Sequence, residues 1–171
     1  IVSEADWGEP NAVITLNSME EANNNLVRRE SASHRLYRLV QFAFAASAQQ
    51  VKAVRVMNTS NAAKSTLNLE DGSATNVIQI DAKYEGTFGD EISVTVGPDV
   101  VDNNKTEIRI FVEDSLVHRV VSTVDTGQAG FIDDVMGLLN GLDSIWVDFT
   151  KLADGDNDLD AVSNVSLTGG A

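Results

Sequence analysis

The chain has 171 residues, of which 43% are hydrophobic, so it is long enough for one ordinary domain or two small ones with a real core. It carries 26 acidic and 12 basic side chains, which gives a net charge of −14, and it contains no cysteine. This composition excludes a disordered tail, a disulfide scaffold and thiolate metal sites, and the apolar runs are too short for a membrane span.

The negative charge is concentrated in one part of the sequence. Residues 1–60 hold six Lys/Arg and six Asp/Glu, whereas residues 61–171 hold six Lys/Arg and twenty Asp/Glu. A strongly acidic surface repels the phosphate backbone, so we expect no nucleic acid among the partners of the second part.

The first 60 residues are predicted to begin with a strand and a short helix. The apolar run 12–16 has the length of a buried strand. Ser18 and Glu21 stand three residues apart in a capping-box pattern, which predicts a helix over residues 19–26.

A longer helix of about four turns is predicted next, beginning near Ser31 or Ser33. Its apolar stripe at three- and four-residue spacing consists of Leu36, Leu39, Val40, Ala43, Phe44 and Ser47. Basic residues also cluster in and before this helix, at Arg28, Arg29, Arg35 and Arg38. Such a cluster could bind an acidic neighbour or nucleic acid, but the glutamates nearby favour an ion-paired, solvated helix face.

Residues 51–57 predict a strand buried on both faces, because apolar side chains occupy most positions. The order strand, helix, helix, strand is typical of an α/β unit, so residues 1–60 are interpreted as an α/β piece.

Residues 61–161 are predicted to form a β-rich module with the strand spacing of an antiparallel sandwich or small barrel. The strand candidates are 63–69, 75–84, 91–96, 106–113 and 116–124. Asp71 with Gly72 supplies turn chemistry between the first two strands, and Asp114 with Ser115 closes a hairpin between the last two.

One helix interrupts the strands of this module. Asp125 and Gln128 form a capping pair, and Gly141 is placed to end the helix. Its predicted apolar face consists of Phe131, Val135, Leu138 and Leu142. A last strand over 145–149 precedes an acidic loop.

The stretch from Lys83 to Val96 carries the most specific pattern in the chain, and we expect it to lie inside the β-rich module. Its second half alternates apolar and polar residues with the two-residue period of a strand that has one buried face. Before that strand, Gly86 and Gly89 flank Phe88, which predicts a tight turn with positive φ that packs one large ring.

This stretch resembles a segment that precedes a β-strand in contractile tail sheath proteins of bacteriophages and related viruses. The matching residues are Tyr84, Gly86, Thr87, Phe88, Gly89 and Asp90. Phe88 replaces the family's tryptophan and Asp90 replaces its asparagine.

Three further segments resemble the same family in the same order. They are Gly8 to Asn11 before the first strand, residues 42–56 ending in Val54, Arg55 and Val56, and the terminal Leu167, Thr168, Gly169 and Gly170. One departure is that the family has paired glycines after its aromatic helix, where this chain has Ala45, Ala46, Ser47 and Ala48.

The resemblance implies an α+β fold in which an antiparallel β-sandwich is inserted into an α/β domain that is similar to subtilisin but lacks catalytic residues. Residues 1–60 would be a piece of that domain, residues 61–161 the sandwich, and residues 162–171 the return towards the α/β domain. Most of the α/β domain would be missing, so the chain is expected to be a fragment.

The resemblance also implies the function. Family subunits stack as hexameric rings around an inner tube and contract on a signal from the baseplate, which drives the tube into the host. The implied partners are other sheath subunits, the tail tube and the baseplate, and the implied location is the virion after assembly in the host cytoplasm. No membrane and no cofactor are implied.

No catalytic site is predicted from the residues. His34 and His118 are far apart in sequence and are both expected on the surface. A hydrolase is not supported because no glycine–serine–glycine elbow is present, and no phosphate-binding glycine loop occurs.

An acidic loop is the only candidate metal site. Its alternate carboxylates are Asp154, Asp156, Asp158 and Asp160, and such a pattern could converge on calcium. The EF-hand pattern fails because Leu159 and Val165 stand where its glycine and bidentate glutamate belong. We therefore favour a solvated acidic loop. The alternative function that this loop supports is a calcium-stabilised β-sandwich binding module for adhesion or carbohydrate.

The 171 residues alone are expected to form a soluble monomer. In the family, neighbouring subunits are joined by terminal arms that add strands to another subunit's sheet, and both arms are expected to lie outside this chain. The net charge of −14 also opposes self-contact at low salt.

Overall fold

The computed structural model describes residues 1–26, 35–58 and 60–171. It divides the chain into two compact units, and the chain passes between them four times. Unit 1 comprises Ile1–Lys64, Tyr84–Phe88 and Gly170–Ala171, whereas unit 2 comprises Ser65–Lys83 and Gly89–Gly169.

Among its described residues, unit 1 contains a three-stranded sheet and two helices. In chain order its elements are β1 (Val2–Ser3), β2 (Val13–Leu16), α1 (Met19–Leu26), α2 (Arg35–Ala45) and β3 (Val51–Arg55). The sheet order is β1-β3-β2, with β1 parallel and β2 antiparallel to the central β3. The predicted strand, helix, helix and strand are present, while the two-residue β1 was not predicted.

The core of unit 1 forms where the helices cover the sheet. Its buried members are Ala5, Leu16, Ala22, Leu26, Leu36, Tyr37, Val40, Val51 and Ala53. The predicted stripe of α2 was wrong at Leu39, which is 42% exposed, and at Ser47, which is exposed. Tyr37 is buried instead, because the inward face of the helix is centred between Leu36 and Val40. The predicted helix start and the residues Arg28, Arg29 and His34 lie outside the described residues.

Unit 2 contains two antiparallel sheets and one helix. Its elements are β4 (Thr66–Glu70), β5 (Asn76–Ala82), β6 (Ile92–Pro98), β7 (Thr106–Val112), β8 (Ser115–Val121), α3 (Phe131–Asn140), β9 (Val147–Lys151) and β10 (Val162–Ser166). The sheet orders are β4-β5-β9 and β10-β6-β7-β8. This mixed content with antiparallel sheets agrees with the predicted α+β, sandwich-like class.

The β7–β8 hairpin turns through two residues with positive φ. Glu113 has φ 48° and Asp114 has φ 64°, the conformation of the turns that match strand twist. The hairpin was predicted one residue later, at Asp114 and Ser115.

The helix α3 begins later than predicted, and it buries a different set of residues. It starts at Phe131 after Gly130, so Asp125 and Gln128 form a preceding turn rather than its cap. Its buried residues are Phe131, Ile132, Val135, Met136 and Leu139. Leu138 and Leu142 are only half-buried. The helix ends before Gly141, as predicted.

The boundaries of the two structural units differ from the predicted domain boundaries in two places. Tyr84–Phe88 belongs to unit 1, although it was expected inside the β-rich module. Residues 162–169 belong to unit 2, where β10 pairs with β6, although 162–171 was expected to be a return segment. The sequence of β10 does not alternate apolar and polar residues, because most of its side chains are exposed. It was therefore not predicted as a strand. Within the described residues, no helix is long and apolar enough to cross a bilayer.

Candidate functional site

Aromatic packing around Trp7 holds the segment Tyr84–Phe88 in unit 1. The ring of Trp7 has no exposed surface, and its centroid lies 5.2 Å from that of Tyr84 and 5.1 Å from that of Phe88. The interplanar angles of 81° and 65° are edge-to-face, which is a favourable aromatic geometry. Two aromatic residues of the sequence motif therefore meet on one tryptophan, which sequence reasoning did not single out.

Arg55 anchors the same segment through its side chain. It is 2% exposed, and its Nε, Nη1 and Nη2 donate to three backbone carbonyl oxygens. The acceptors are Ala5 at 2.7 Å, Gly8 at 2.7 Å and Glu85 at 2.8 Å. Burial lowers the pKa of Arg55, while the charges of Glu85 and Asp6 act in the opposite direction. The planar guanidinium thus ties β3, which carries Arg55, to the β1–β2 loop and to the segment Tyr84–Phe88.

Gly86 is required where the motif approaches Arg55. Its φ is 117°, and a Cβ at this position would lie 2.8 Å from Nη2 of Arg55. Its N–H donates to the carbonyl of Ala63 at 3.1 Å. Thr87 follows it and lines a groove of about 300 Å³ with Arg55 and Gly86. The predicted tight turn with positive φ is confirmed at this glycine.

Gly89 and Asp90 lie where segments of unit 2 pack closely together. A Cβ on Gly89 would lie 2.3 Å from Oγ of Ser65 and 2.8 Å from Cβ of Ala82. The buried Ser65 hydroxyl donates to Oδ1 of Asp90 at 2.7 Å. Gly89 is therefore needed for space rather than for positive φ, which was predicted for it.

The terminal motif also spans the two units. Leu167 is fully buried, and its N–H donates to the carbonyl of Ile92 at 2.9 Å. Thr168 exchanges backbone hydrogen bonds with Thr66 in unit 2. Gly169 has φ 93°, and the chain enters unit 1 at Gly170.

The four aspartates of the acidic loop have different partners. Asp156 accepts the hydroxyl hydrogen of Ser73, and Asp158 accepts the N–H of Gly72 at 3.1 Å. Asp154 pairs with Lys151. The N–H of Asp160 donates to the carbonyl of Glu70 at 2.8 Å. Across the described part of the chain, no group of three or more His, Asp or Glu side chains could hold a metal ion.

Asp71 fastens this loop to the β4–β5 turn. Its buried carboxylate accepts the N–H groups of Ser73 at 3.0 Å, Thr75 at 2.8 Å and Asp156 at 2.9 Å. The hydrogen bond from Thr75 is the largest cause that lowers the pKa of Asp71. Gly155 has φ 55°, and a Cβ there would lie 2.3 Å from Oδ2 of Asp71. Sequence reasoning assigned Asp71 to a turn and missed this role, because Asp156 is far along the chain.

His118 was expected on the surface, but the structure places it partly inside. It is half-buried, and its Nε2 lies 2.8 Å from Oγ of Ser144. Burial lowers the pKa of His118. Ser144 also accepts the N–H of Trp146 at 3.1 Å, so this contact shapes the entry to β9.

Residues 58–171 match the family model described as the phage tail sheath protein beta-sandwich domain. The fold is similar to the crystal structure of a sheath tail protein from Desulfitobacterium hafniense, at 19% identity and a TM-score of 0.66, over 99% of this chain and 35% of that one. It is also similar to a sheath tail protein from Listeria innocua, at 24% identity and a TM-score of 0.68, over 99% of this chain and 32% of that one. The chain thus spans about a third of these proteins' length. It matches no curated protein sequence.

Proposed function

Because this chain belongs to the family of phage tail sheath proteins with the β-sandwich domain, we propose that it is a structural part of a contractile tail sheath subunit. The observation that carries the proposal is the family match over residues 58–171. In the intact sheath, subunits stack as hexameric rings around the tail tube. A signal from the baseplate makes them slide into a shorter arrangement, which drives the tube into the host.

The contacts of the motif residues support a scaffold role. Tyr84 and Phe88 pack on Trp7, Gly86 leaves room for Arg55, and Asp90 holds a buried hydroxyl. These interactions fix the path of the backbone. The work of contraction would then come from altered contacts between subunits rather than from chemistry within one.

The proposal assigns a place to each unit. Unit 1 is a piece of the larger α/β domain, which resembles subtilisin without its catalytic residues, and unit 2 is the inserted sandwich. The partners are other sheath subunits, the tail tube and the baseplate, and the location is the virion after assembly in the host cytoplasm. The calcium-stabilised binding module is not favoured, because the carboxylates of the acidic loop bind separate neighbours.

The test is immunogold electron microscopy of contractile tails from the virus that encodes this chain. An antibody raised against the 171-residue chain should label extended tails along their whole length and, after contraction, only the shortened sheath. An antibody against the tube protein is the matched control, since it should label only tube that contraction has exposed. Label confined to the baseplate or fibres, or absent from tails, would contradict the proposal.

The isolated chain is expected to remain a soluble monomer at micromolar concentration, without rings or tubes. Light scattering and negative-stain microscopy at low and high salt measure this. Ordered rings from these residues alone would show that the contacts sufficient for assembly lie within the chain.

A further inference from the structure

The outer side of α2 is a basic and apolar surface. Arg35, Arg38, Leu39 and Phe42 lie on it at three- and four-residue spacing, which places them on one side of the helix. Leu39 is 42% exposed and Phe42 is 61% exposed. Arg35 and Arg38 are exposed, and neither forms an ion pair with another of the described residues. We call these four residues the basic face.

A second exposed apolar feature lies at the tip of the β6–β7 loop in unit 2. Val100 is 87% exposed and Val101 is 93% exposed, the highest values among the large hydrophobic side chains of the described residues. Single exposed valines are ordinary, but two adjacent ones at a loop tip offer apolar surface on which a partner could pack.

Buried charge fixes the shape of this tip. Oδ2 of Asp99 accepts the N–H groups of Val101 and Asp102, each at 3.1 Å. Oδ1 of Asp99 accepts Nη2 of Arg119 at 3.0 Å, and Asp99 itself is buried. The N–H of Asp99 also donates to the carbonyl of Lys105 at 2.9 Å. Since the turn is already ordered, docking it to a partner requires little further ordering of the backbone.

The loops at this end of unit 2 are rich in aspartate. Three loops meet at this end of unit 2, because Thr126 N–H donates to Asn104 at 2.8 Å and Gly127 N–H donates to Asn157 at 2.7 Å. The loops 99–105, 123–128 and 152–161 together contain seven aspartates and one lysine. That lysine, Lys105, pairs with Asp125. We call Val100, Val101 and these three loops the acidic tip.

We propose that the acidic tip of one copy docks on the basic face of a second copy of this chain. Val100 and Val101 pack against Leu39 and Phe42, while the surrounding aspartates face Arg35 and Arg38. The inference rests on the proposed function and deepens it, since it names one contact between sheath subunits.

Charge and apolar character together select this occupant. Each copy carries both surfaces, one apolar with arginines and the other apolar with aspartates, so the pair is complementary in both respects. A reciprocal pair of such contacts closes a dimer, whereas a single contact of this type is heterologous and leaves a free surface at each end. The heterologous form can extend into a ring or a helix, as a repeating sheath requires.

The contact is small, so a covalent trap is the suitable test. The chain contains no cysteine, which makes single-cysteine variants unambiguous. Phe42→Cys and Val101→Cys are mixed in equal amounts and oxidised, and the disulfide-linked products are quantified by mass spectrometry. The control pair is Phe42→Cys with Leu116→Cys, because Leu116 is 51% exposed and lies at the opposite end of the β7–β8 hairpin from the acidic tip.

We expect the Phe42→Cys and Val101→Cys heterodimer to exceed the control heterodimer several-fold. The excess should fall as the salt concentration rises, since the Debye screening length shortens to about 3 Å at 1 M. It should also be lost when Arg35→Glu and Arg38→Glu are added to the Phe42→Cys chain. A yield equal to that of the control, or a yield unchanged by the two charge reversals, would overturn the proposal.

A nucleic acid on the basic face is the competing outcome. A fluorescent DNA duplex that binds the wild-type chain and is released by Arg35→Glu and Arg38→Glu would assign the face to nucleic acid and overturn the proposal. The disulfide-trapping experiment and the immunogold experiment test different claims, so either can fail without the other. Labelled tails without trapping leave the sheath role standing and reject this contact, whereas trapping without labelled tails supports the contact and rejects the sheath role.

Discussion

Arg55 in unit 1 and Asp71 in unit 2 are opposite charges used in the same way. Arg55 donates to three backbone carbonyls, and Asp71 accepts from three backbone N–H groups. Each faces a glycine, and a Cβ there would lie 2.8 Å from Arg55 at Gly86 and 2.3 Å from Asp71 at Gly155. In a chain without disulfides, backbone dipoles converging on one buried charge fasten distant segments.

The two anchors differ in reach. The long side chain of Arg55 joins β3 to two other segments, the β1–β2 loop through Ala5 and Gly8 and the motif segment through Glu85. The short side chain of Asp71 binds mainly its own turn and adds one remote amide. Loss of the arginine should therefore loosen all of unit 1, whereas loss of the aspartate should act on one turn and one loop.

The largest expected effect is that of Arg55→Met. Three backbone carbonyls, two of them in buried residues, would lose their donors, and we expect the free energy of unfolding of unit 1 to fall by about 3–5 kcal/mol. The measurement is urea denaturation by fluorescence in a Trp146→Phe background, where Trp7 reports on unit 1 alone. Arg38→Met is the matched control, since Arg38 is exposed and the change should stay within about 0.5 kcal/mol. Equal midpoints for the two variants would show that the anchor is not needed.

Gly155→Ala should have the next largest effect, because it strains the Asp71 anchor in two ways. The positive φ disfavours alanine, and the methyl group would overlap both the Asp71 carboxylate and Cγ1 of Val77, so we expect a loss of about 2–3 kcal/mol. Gly127→Ala separates the two causes: Gly127 has φ 82°, but no atom lies within 4 Å of the place that an added methyl group would occupy. That control should lose only about 1 kcal/mol. If both variants lose the same amount, the close packing of Asp71 and Val77 around Gly155 contributes nothing.

The pH dependence of stability tests whether Asp71 stabilises the fold through its negative charge. Backbone N–H groups, Thr75 foremost, hold the pKa of Asp71 below its ordinary value of 3.8. A carboxylate whose folded pKa is lowered contributes stability above its ordinary pKa, and this contribution is lost as pH falls through the folded value. Asp71→Asn should therefore melt at a lower temperature at pH 7, and the difference from wild type should shrink below about pH 4.

The matched control for this experiment is Asp160→Asn, since Asp160 is exposed in the same loop. Its melting temperature should follow wild type across the whole pH range. A constant offset of Asp71→Asn at every pH would mean that shape, not charge, accounts for the anchor.

The smallest expected effect is that of calcium. Asp156 and Asp158 are engaged by Ser73 and Gly72, so millimolar calcium at moderate ionic strength should barely change the melting temperature. A micromolar site would instead add several kcal/mol at saturation. A calcium-specific rise that disappears in Asp156→Asn and Asp158→Asn would contradict this and favour the binding module.

The sequence was informative where local pattern decides structure. The helix Met19–Leu26, the strand Ile92–Pro98 and the turn at Gly86 follow from capping, alternation and glycine, which act over a few residues. Trp7 and Asp71 were missed because their partners lie far away in the chain. A residue type and its neighbours do not reveal that Asp71 will meet the amide of Asp156, since only the folded chain brings them together.

Exchange of gene segments between relatives is constrained by the return of Tyr84–Phe88 to unit 1. A simple insert could be replaced by recombination at its two junctions. Here a transplanted segment 65–169 would carry Tyr84 and Phe88 into a recipient that must offer an aromatic ring in place of Trp7 and a long cation in place of Arg55. Hybrid genes should therefore survive only when these positions match.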